Sequence, residues 1–247
     1  MSTGGMPSGG AAGVMSGGAS GRGSGGTGGS GGGGGSGGPA CPAVTPEACS
    51  AAEKTICTNE IAMHCGLTYE FWRDTGGGCM VAKADGFSIE WNENNNVLAR
   101  KGVRPGTGNE VFHYQAEYTA NGTSFMGVYG WTQNPLIEYY IVDSWGGSRP
   151  PGSRGEHVGS VETTDGSVYD MYRTQQVDKP SIDLNVTTFY QYWSVRTSKR
   201  SCGTINVRQH FDAWASADLL LGRFYEVSFV VEGYLSAGSG DVRLSVD

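Results

Sequence analysis

Two glutamates of this 247-residue chain, Glu138 and Glu232, fall on strand-like segments where a carboxylate is out of place. In Leu136–Val142 (LIEYYIV), alternation with a period of two gathers Ile137, Tyr139 and Ile141 on one face and Leu136, Glu138 and Tyr140 on the other. In Val227–Tyr234 (VSFVVEGY), Val227, Phe229 and Val231 share a face, opposite Ser228, Val230, Glu232 and Tyr234. Each segment has one wholly apolar face suited to a core and a second face carrying a single acid. Two carboxylates brought together across such faces can divide the labour of acid/base and nucleophilic catalysis. Alternation alone leaves the ordinary reading open as well: a solvated outer-face glutamate, beside aromatics that serve a core.

Neighbouring segments sharpen the chemistry. Phe125–Trp131 (FMGVYGW) adds Tyr129 and Trp131 to one face, and Phe189–Trp193 (FYQYW) sets Gln191 between aromatics. A curved sheet lined with Tyr and Trp, two acids and an amide suits a sugar polymer. Aromatic planes stack on pyranose faces, and hydroxyls exchange hydrogen bonds with Gln, Asn and Tyr.

These segments belong to a strand-rich region that begins at Gly66. Val, Ile, Thr, Tyr and Trp dominate it, punctuated by turn signals at Gly76-Gly77, Asp85-Gly86, Asn121-Gly122 and Asp165-Gly166. Such spacing predicts an all-β sandwich. One stretch differs: Val207–Leu221 has its apolar residues on one helical face and is followed by Gly222, which predicts a single helix capped there. Ahead of this region, 20 of the 42 glycines lie within Met1–Gly38. That tract has neither the three-residue period nor the proline of collagen, and residues 1–40 read as a disordered linker that tethers the domain to a cell surface or another module. Residues 41–65 form a Cys-rich N-terminal extension, with one helical turn expected at Pro46–Ile56.

The six cysteines, at 41, 49, 57, 65, 79 and 202, lack zinc spacing. Their even number points to disulfides formed in an oxidising, extracellular compartment, with 15 pairings open. Cys79 and Cys202 lie within the strand region, so one or both are expected to tie down the extension. Residues 1–20 show no apolar signal-peptide core, and the chain is read as a mature or trimmed product. No run approaches the roughly 20 apolar residues of a membrane span. A net charge of −7 without a basic stripe argues against nucleic acid.

Several runs, taken in order, resemble glycoside hydrolase family 11, the β-jelly-roll xylanases. Tyr129–Val142 (YGWTQNPLIEYYIV) is similar to that family's nucleophile strand. Asp165–Asp170 and Lys179–Ile182 resemble its mobile thumb hairpin, while Phe189–Arg200 and His210–Ser216 resemble the strand and helix that follow. Glu232–Ser239 resembles the acid/base strand. The likeness spans essentially Leu67–Val246, within a catalytic domain read as 66–247. It implies two strongly curved antiparallel sheets with one α-helix and a cleft on the concave face. It also implies a monomer, acting on xylan or xylooligosaccharides without cofactor or metal. Glu138 would be the nucleophile and Glu232 the acid/base of a retaining endo-1,4-β-xylanase. Trp72, Asn96, Tyr129, Tyr140, Pro180 and Gln191 would hold the sugar or support the acids. A jelly-roll β-1,4-glucanase and a non-catalytic carbohydrate-binding module are the alternatives.

Three positions depart from the family pattern. Gln176 stands where many members have a thumb Arg, Val103 replaces a frequent Trp, and Asp183-Leu184-Asn185 lacks a common Gly. Asn96, a neutral residue at the position beside the acid/base, predicts a mildly acidic-to-neutral pH optimum.

Overall fold

The computed structural model describes residues 41–183 and 186–247. The expected linker over 1–40 and the Leu184-Asn185 departure lie outside the described residues. Thirteen strands, one α-helix and a single 3-10 turn at Gly152–Arg154 follow one another among the described residues. They are β1 (Lys54–Ile56), β2 (Glu60–His64), β3 (Leu67–Arg73), β4 (Gly77–Lys83), β5 (Gly86–Val103), β6 (Val111–Ala120) and β7 (Thr123–Gln133). Next come β8 (Ile137–Trp145), β9 (Glu156–Glu162), β10 (Val168–Lys179), β11 (Thr187–Arg196), β12 (Cys202–Asn206), α1 (Val207–Ser216) and β13 (Arg223–Val246). The four turn signals fall between β3 and β4, β4 and β5, β6 and β7, and β9 and β10. Gly76, Gly122 and Gly166 adopt positive φ there, a conformation that side chains with a Cβ resist.

Two long strands create the layers. β13 pairs with β7 and β5 through its first half, then with β5 and β6 through its second. Its register shifts between Ser236 and Gly238, where Leu235 takes a positive φ of 46°. β5 bends beside it at Glu93, also at positive φ, and the Trp91 indole donates to Ser236 Oγ across the bend at 3.0 Å. The first half of β13 and the second half of β5 carry the cleft layer, β2-β3-β5-β13-β7-β8-β11-β10-β9, while the second half of β13 and the first half of β5 lead into the layer containing β4, β6 and β12. The pairing of β8 with β11 is parallel, unlike the other described pairings. The fold is the expected jelly roll.

Between the layers lies the main core. Phe87, Phe112 and Tyr114 from one side meet Val128, Tyr139, Ile141, Phe229 and Val231 from the other. The apolar faces read from LIEYYIV and VSFVVEGY are thus both turned inward. α1 packs Phe211 edge-on against Tyr139, with ring centroids 5.1 Å apart. Asn206 caps its start, accepting from Arg208 N at 3.0 Å.

The helix is shorter than periodicity predicts. It ends at Ser216 rather than running to Leu221 with Gly222 as its cap. Asp218, at φ 59°, turns the chain so that its own N–H reaches Ala215 O and that of Leu219 reaches Trp214 O. This is a Schellman closure, and it buries Leu219 against the core. The apolar run after 217 marked that contact and not a continuing helix.

The extension also differs from its expected helical turn. Residues 41–53 have no regular element, and β1 then pairs with β4 while β2 pairs with β3. Disulfides Cys41–Cys202, Cys49–Cys65 and Cys57–Cys79 fasten the segment from both ends, so both strand-region cysteines anchor it. Strand pairing and cross-linking at this spacing hold the backbone open where a helix would contract it.

Candidate active site

Cross-strand register lays out a second, smaller cluster on the cleft side. Glu138 stands beside Trp131 on β7 and Gln191 on β11, and Tyr140 beside Tyr129 and Trp193. Glu232 stands beside Leu98 on β5 and Phe125 on β7. Leu98, Phe125, Tyr129, Trp131, Tyr140, Phe189, Trp193 and Val230 form the floor, with Ile182 packed on it from the β10–β11 connection. Tyr140 and Trp193 stack at 4.1 Å. A cavity bordered by Phe125, Arg149, Thr174, Gln176, Gln191 and Trp193 opens beside Gln191 and Phe125, the register neighbours of Glu138 and Glu232.

One hydroxyl joins the two acids. Tyr140 OH lies 2.9 Å from Glu138 Oε1 and 3.3 Å from Glu232 Oε2. Both glutamates are almost fully buried, Glu138 at 0% exposure and Glu232 at 1%. The solvated-edge alternative for these residues is thereby removed.

The surroundings treat the two acids unequally. Gln191 Nε2 donates to Glu138 Oε2 at 2.6 Å, and the hydroxyls of Tyr140 and Tyr129 also hydrogen-bond to Glu138. The donors are held by partners behind them. Gln191 Oε1 accepts from both Thr174 Oγ1 and Gln176 Nε2 at 2.8 Å, so the amide nitrogen must face Glu138. The Trp131 indole, a donor only, donates to Tyr129 OH and leaves the phenolic proton for the carboxylate. Burial pushes Glu138 up to about 7, and these three bonds together with the Arg100 charge restrain the rise. Glu232 is driven well above the ordinary carboxylate range by burial and then by the charge of Glu138, against hydrogen bonds from Tyr140 and Asn96 and the charge of Arg100. Of the two acids Glu232 is therefore the one that holds its proton more tightly.

The other candidate residues take different places. Asn96 is buried opposite Tyr234 and hydrogen-bonds to Glu232, with its backbone N–H held by Asp74 at 2.7 Å. Trp72, half-buried on β3, packs along the floor beside Leu98. Pro180 is exposed beyond the end of β10, whereas Ser181 and Ile182 next to it are buried. Asp165–Asp170, read as thumb-like, lies at the opposite end of β10, in its turn with β9.

Residues that sequence reasoning left out of the site support it from behind. Trp131 and Thr174 hold the donors, and Gln176, noted only as a departure, is buried against Gln191. Beneath Tyr129 lies Arg100, ion-paired to Glu70 and Glu226. Alternation along β5 placed Arg100 on the face of Asn96 and Leu98, and that was the available signal. Among the described residues, no group of three or more His, Cys, Asp and Glu is arranged to hold a metal.

Comparison with known proteins agrees with this geometry. The family model "Glycosyl hydrolases family 11" matches residues 64–243. The chain is 45% identical over 203 residues to an endo-1,4-beta-xylanase A of Bacillus pumilus, covering 79% of this chain and 87% of that protein. It is also 45% identical over 199 residues to an endo-1,4-beta-xylanase A of Thermoclostridium stercorarium, covering 77% of this chain but only 30% of that longer protein. A crystal structure of an ENZbleach xylanase mutant superimposes with a TM-score of 0.71 at 29% identity, covering 79% of this chain and 87% of the other. The chain belongs to glycosyl hydrolases family 11, as a glycoside hydrolase of the group that includes these xylanases.

Proposed function

We propose that the chain hydrolyses internal β-1,4-xylosidic bonds of xylan with retention of configuration, using Glu138 as nucleophile and Glu232 as acid/base. The observation that carries this reading is the single tyrosine hydroxyl shared by both carboxylates. Oxygens spanned by one hydroxyl are close-set, in keeping with the roughly 5–5.5 Å of retaining pairs and against the roughly 6.5–9.5 Å that admits a water in inverting ones. In the first step Glu138 attacks the anomeric carbon, while Glu232 gives its proton to the departing glycosidic oxygen. Forming the ester removes the charge of Glu138 and with it the repulsion that raised Glu232. Glu232 then loses affinity for a proton and can take one from the incoming water, which frees the sugar and restores Glu138.

Trp72 and Pro180 would contact the sugar, while Tyr129, Gln191, Asn96 and Tyr140 would support and tune the acids. Named relatives supply the substrate, since they are called endo-1,4-beta-xylanases. The domain arrangement proposed is a catalytic unit over 66–247, stapled to the 41–65 extension and tethered by 1–40. Three disulfides fit export to an oxidising compartment. No described helix is long and apolar enough to cross a membrane.

The test is product release from linear xylan and from a soluble β-glucan, with the anomer followed by NMR. Reducing ends from xylan, born as the β-anomer, are expected. Preference for the glucan would transfer the site to the glucanase alternative, and an intact polymer would leave only a binding module.

A further inference from the structure

On the strands of the cleft layer, beside the acids, lies a group of charges that this mechanism does not use. Arg100 on β5 is 2% exposed, yet carries a full guanidinium. It stands in register with Glu70 on β3 and bonds to that carboxylate. Its other side forms an ion pair with Glu226 Oε1 at 2.7 Å. Both acids are themselves buried, at 4% and 1% exposure. Three desolvated charges are costly, and apolar side chains of equal volume commonly stabilise such a site as well or better. Stability alone is a poor reason for the trio to sit here.

Its position supplies a better one. The Arg100 Cζ lies over the Tyr129 ring, 4.9 Å from the centroid. Glu226 is in register with Trp131, whose indole engages Tyr129 OH. The trio thus backs Trp131 and Tyr129, the two donors of the Trp131–Tyr129–Glu138 hydrogen-bond chain. With Glu70 on one flank and Glu226 on the other, the guanidinium can neither swing away nor present another face. Resting on the assignment of Glu138 as nucleophile, we propose that Arg100, clamped between Glu70 and Glu226, is a positioning residue that seats the Tyr129 ring so that its hydroxyl stays aimed at Glu138.

A double-mutant cycle against Tyr129→Phe tests this. Replacing the whole trio (Glu70→Gln, Arg100→Met, Glu226→Gln) removes the platform without stranding a buried charge. Rates on an aryl β-xylobioside would be expressed per active site, counted with a 2-deoxy-2-fluoroxylobioside inactivator. The trio replacement is expected to lower kcat about 10–100-fold with KM within about twofold, the signature of an interaction lost in the transition state. In the Tyr129→Phe background, the same replacement is expected to change kcat less than about threefold, because the hydroxyl it positions is gone. An unchanged kcat per site in the native background, or an equal loss in both backgrounds, would overturn the proposal. Arg100→Lys keeps the charge without the planar platform and runs the same cycle should the triple variant fail to fold. A partial loss confined to the Tyr129 background is expected of it, and an equal loss in both contradicts the proposal. Failure of the parent reading looks different, since Glu138→Gln would then retain turnover.

Discussion

Gln191 stands in register with Glu138 across the parallel pairing of β8 and β11, and its amide nitrogen donates to the carboxylate at 2.6 Å. That bond favours the ionised form of a fully buried acid. Gln191→Leu should therefore raise the proton affinity of Glu138 and move the acidic limb of the kcat/KM profile upward by about one pH unit, with kcat reduced about tenfold or more. A profile measured on xylohexaose decides it. An unmoved limb would show that the bond does not set the ionisation of Glu138.

Tyr140→Phe removes the hydroxyl shared by the two acids while keeping the ring stacked on Trp193. Both acids lose a donor that stabilises their ionised forms. A fall in kcat of about 100-fold is expected, with little change in melting temperature, since the packing of the ring is retained. Loss of stability without loss of kcat would relocate the role of Tyr140 to the core.

Burial of the pair carries a cost that depends on pH. Glu232 is raised in the folded state, so its contribution to stability is fully present below the ordinary carboxylate range and is lost as pH rises through its elevated value. Glu138 acts in the same direction, its loss running from the ordinary carboxylate range up to about 7. Glu232→Gln should therefore match the native melting temperature near pH 4 and exceed it by several degrees near pH 9. Calorimetry at the two pH values checks this, and a constant difference would contradict it.

Much of this arrangement was legible because strands alternate. The apolar faces of LIEYYIV and VSFVVEGY predicted the core, and their reverse faces grouped Glu138 with Tyr140 and set Glu232 opposite the apolar side. What alternation could not supply was pairing across distance. Nothing local to Glu138 announces that Glu232, far along the chain, shares a tyrosine with it; the family resemblance carried that link. The Arg100 trio was illegible for the same reason, because each of its members comes from a different strand. Periodicity also misjudged the helix end, since Leu219 serves the core through a reversal of the chain rather than through another helical turn.

The Cys41–Cys202 bridge closes a loop of 161 residues and fixes the start of the described chain to β12. Loops of that size contribute about 4–5 kcal/mol in the chain-entropy description. The paired replacement Cys41→Ser with Cys202→Ser should lower the melting temperature by about 5–15 °C, with kcat at 25 °C unchanged. A fall in kcat at low temperature would instead tie the extension to the cleft.

The most direct measurement is covalent trapping. A 2-deoxy-2-fluoroxylobioside with a good leaving group, followed by proteolysis and mass spectrometry, should add one fluoroxylobiosyl group per chain, located on Glu138 within Tyr129–Val142. Label on Glu232, on another residue, or on none while xylan is still cleaved would contradict the account.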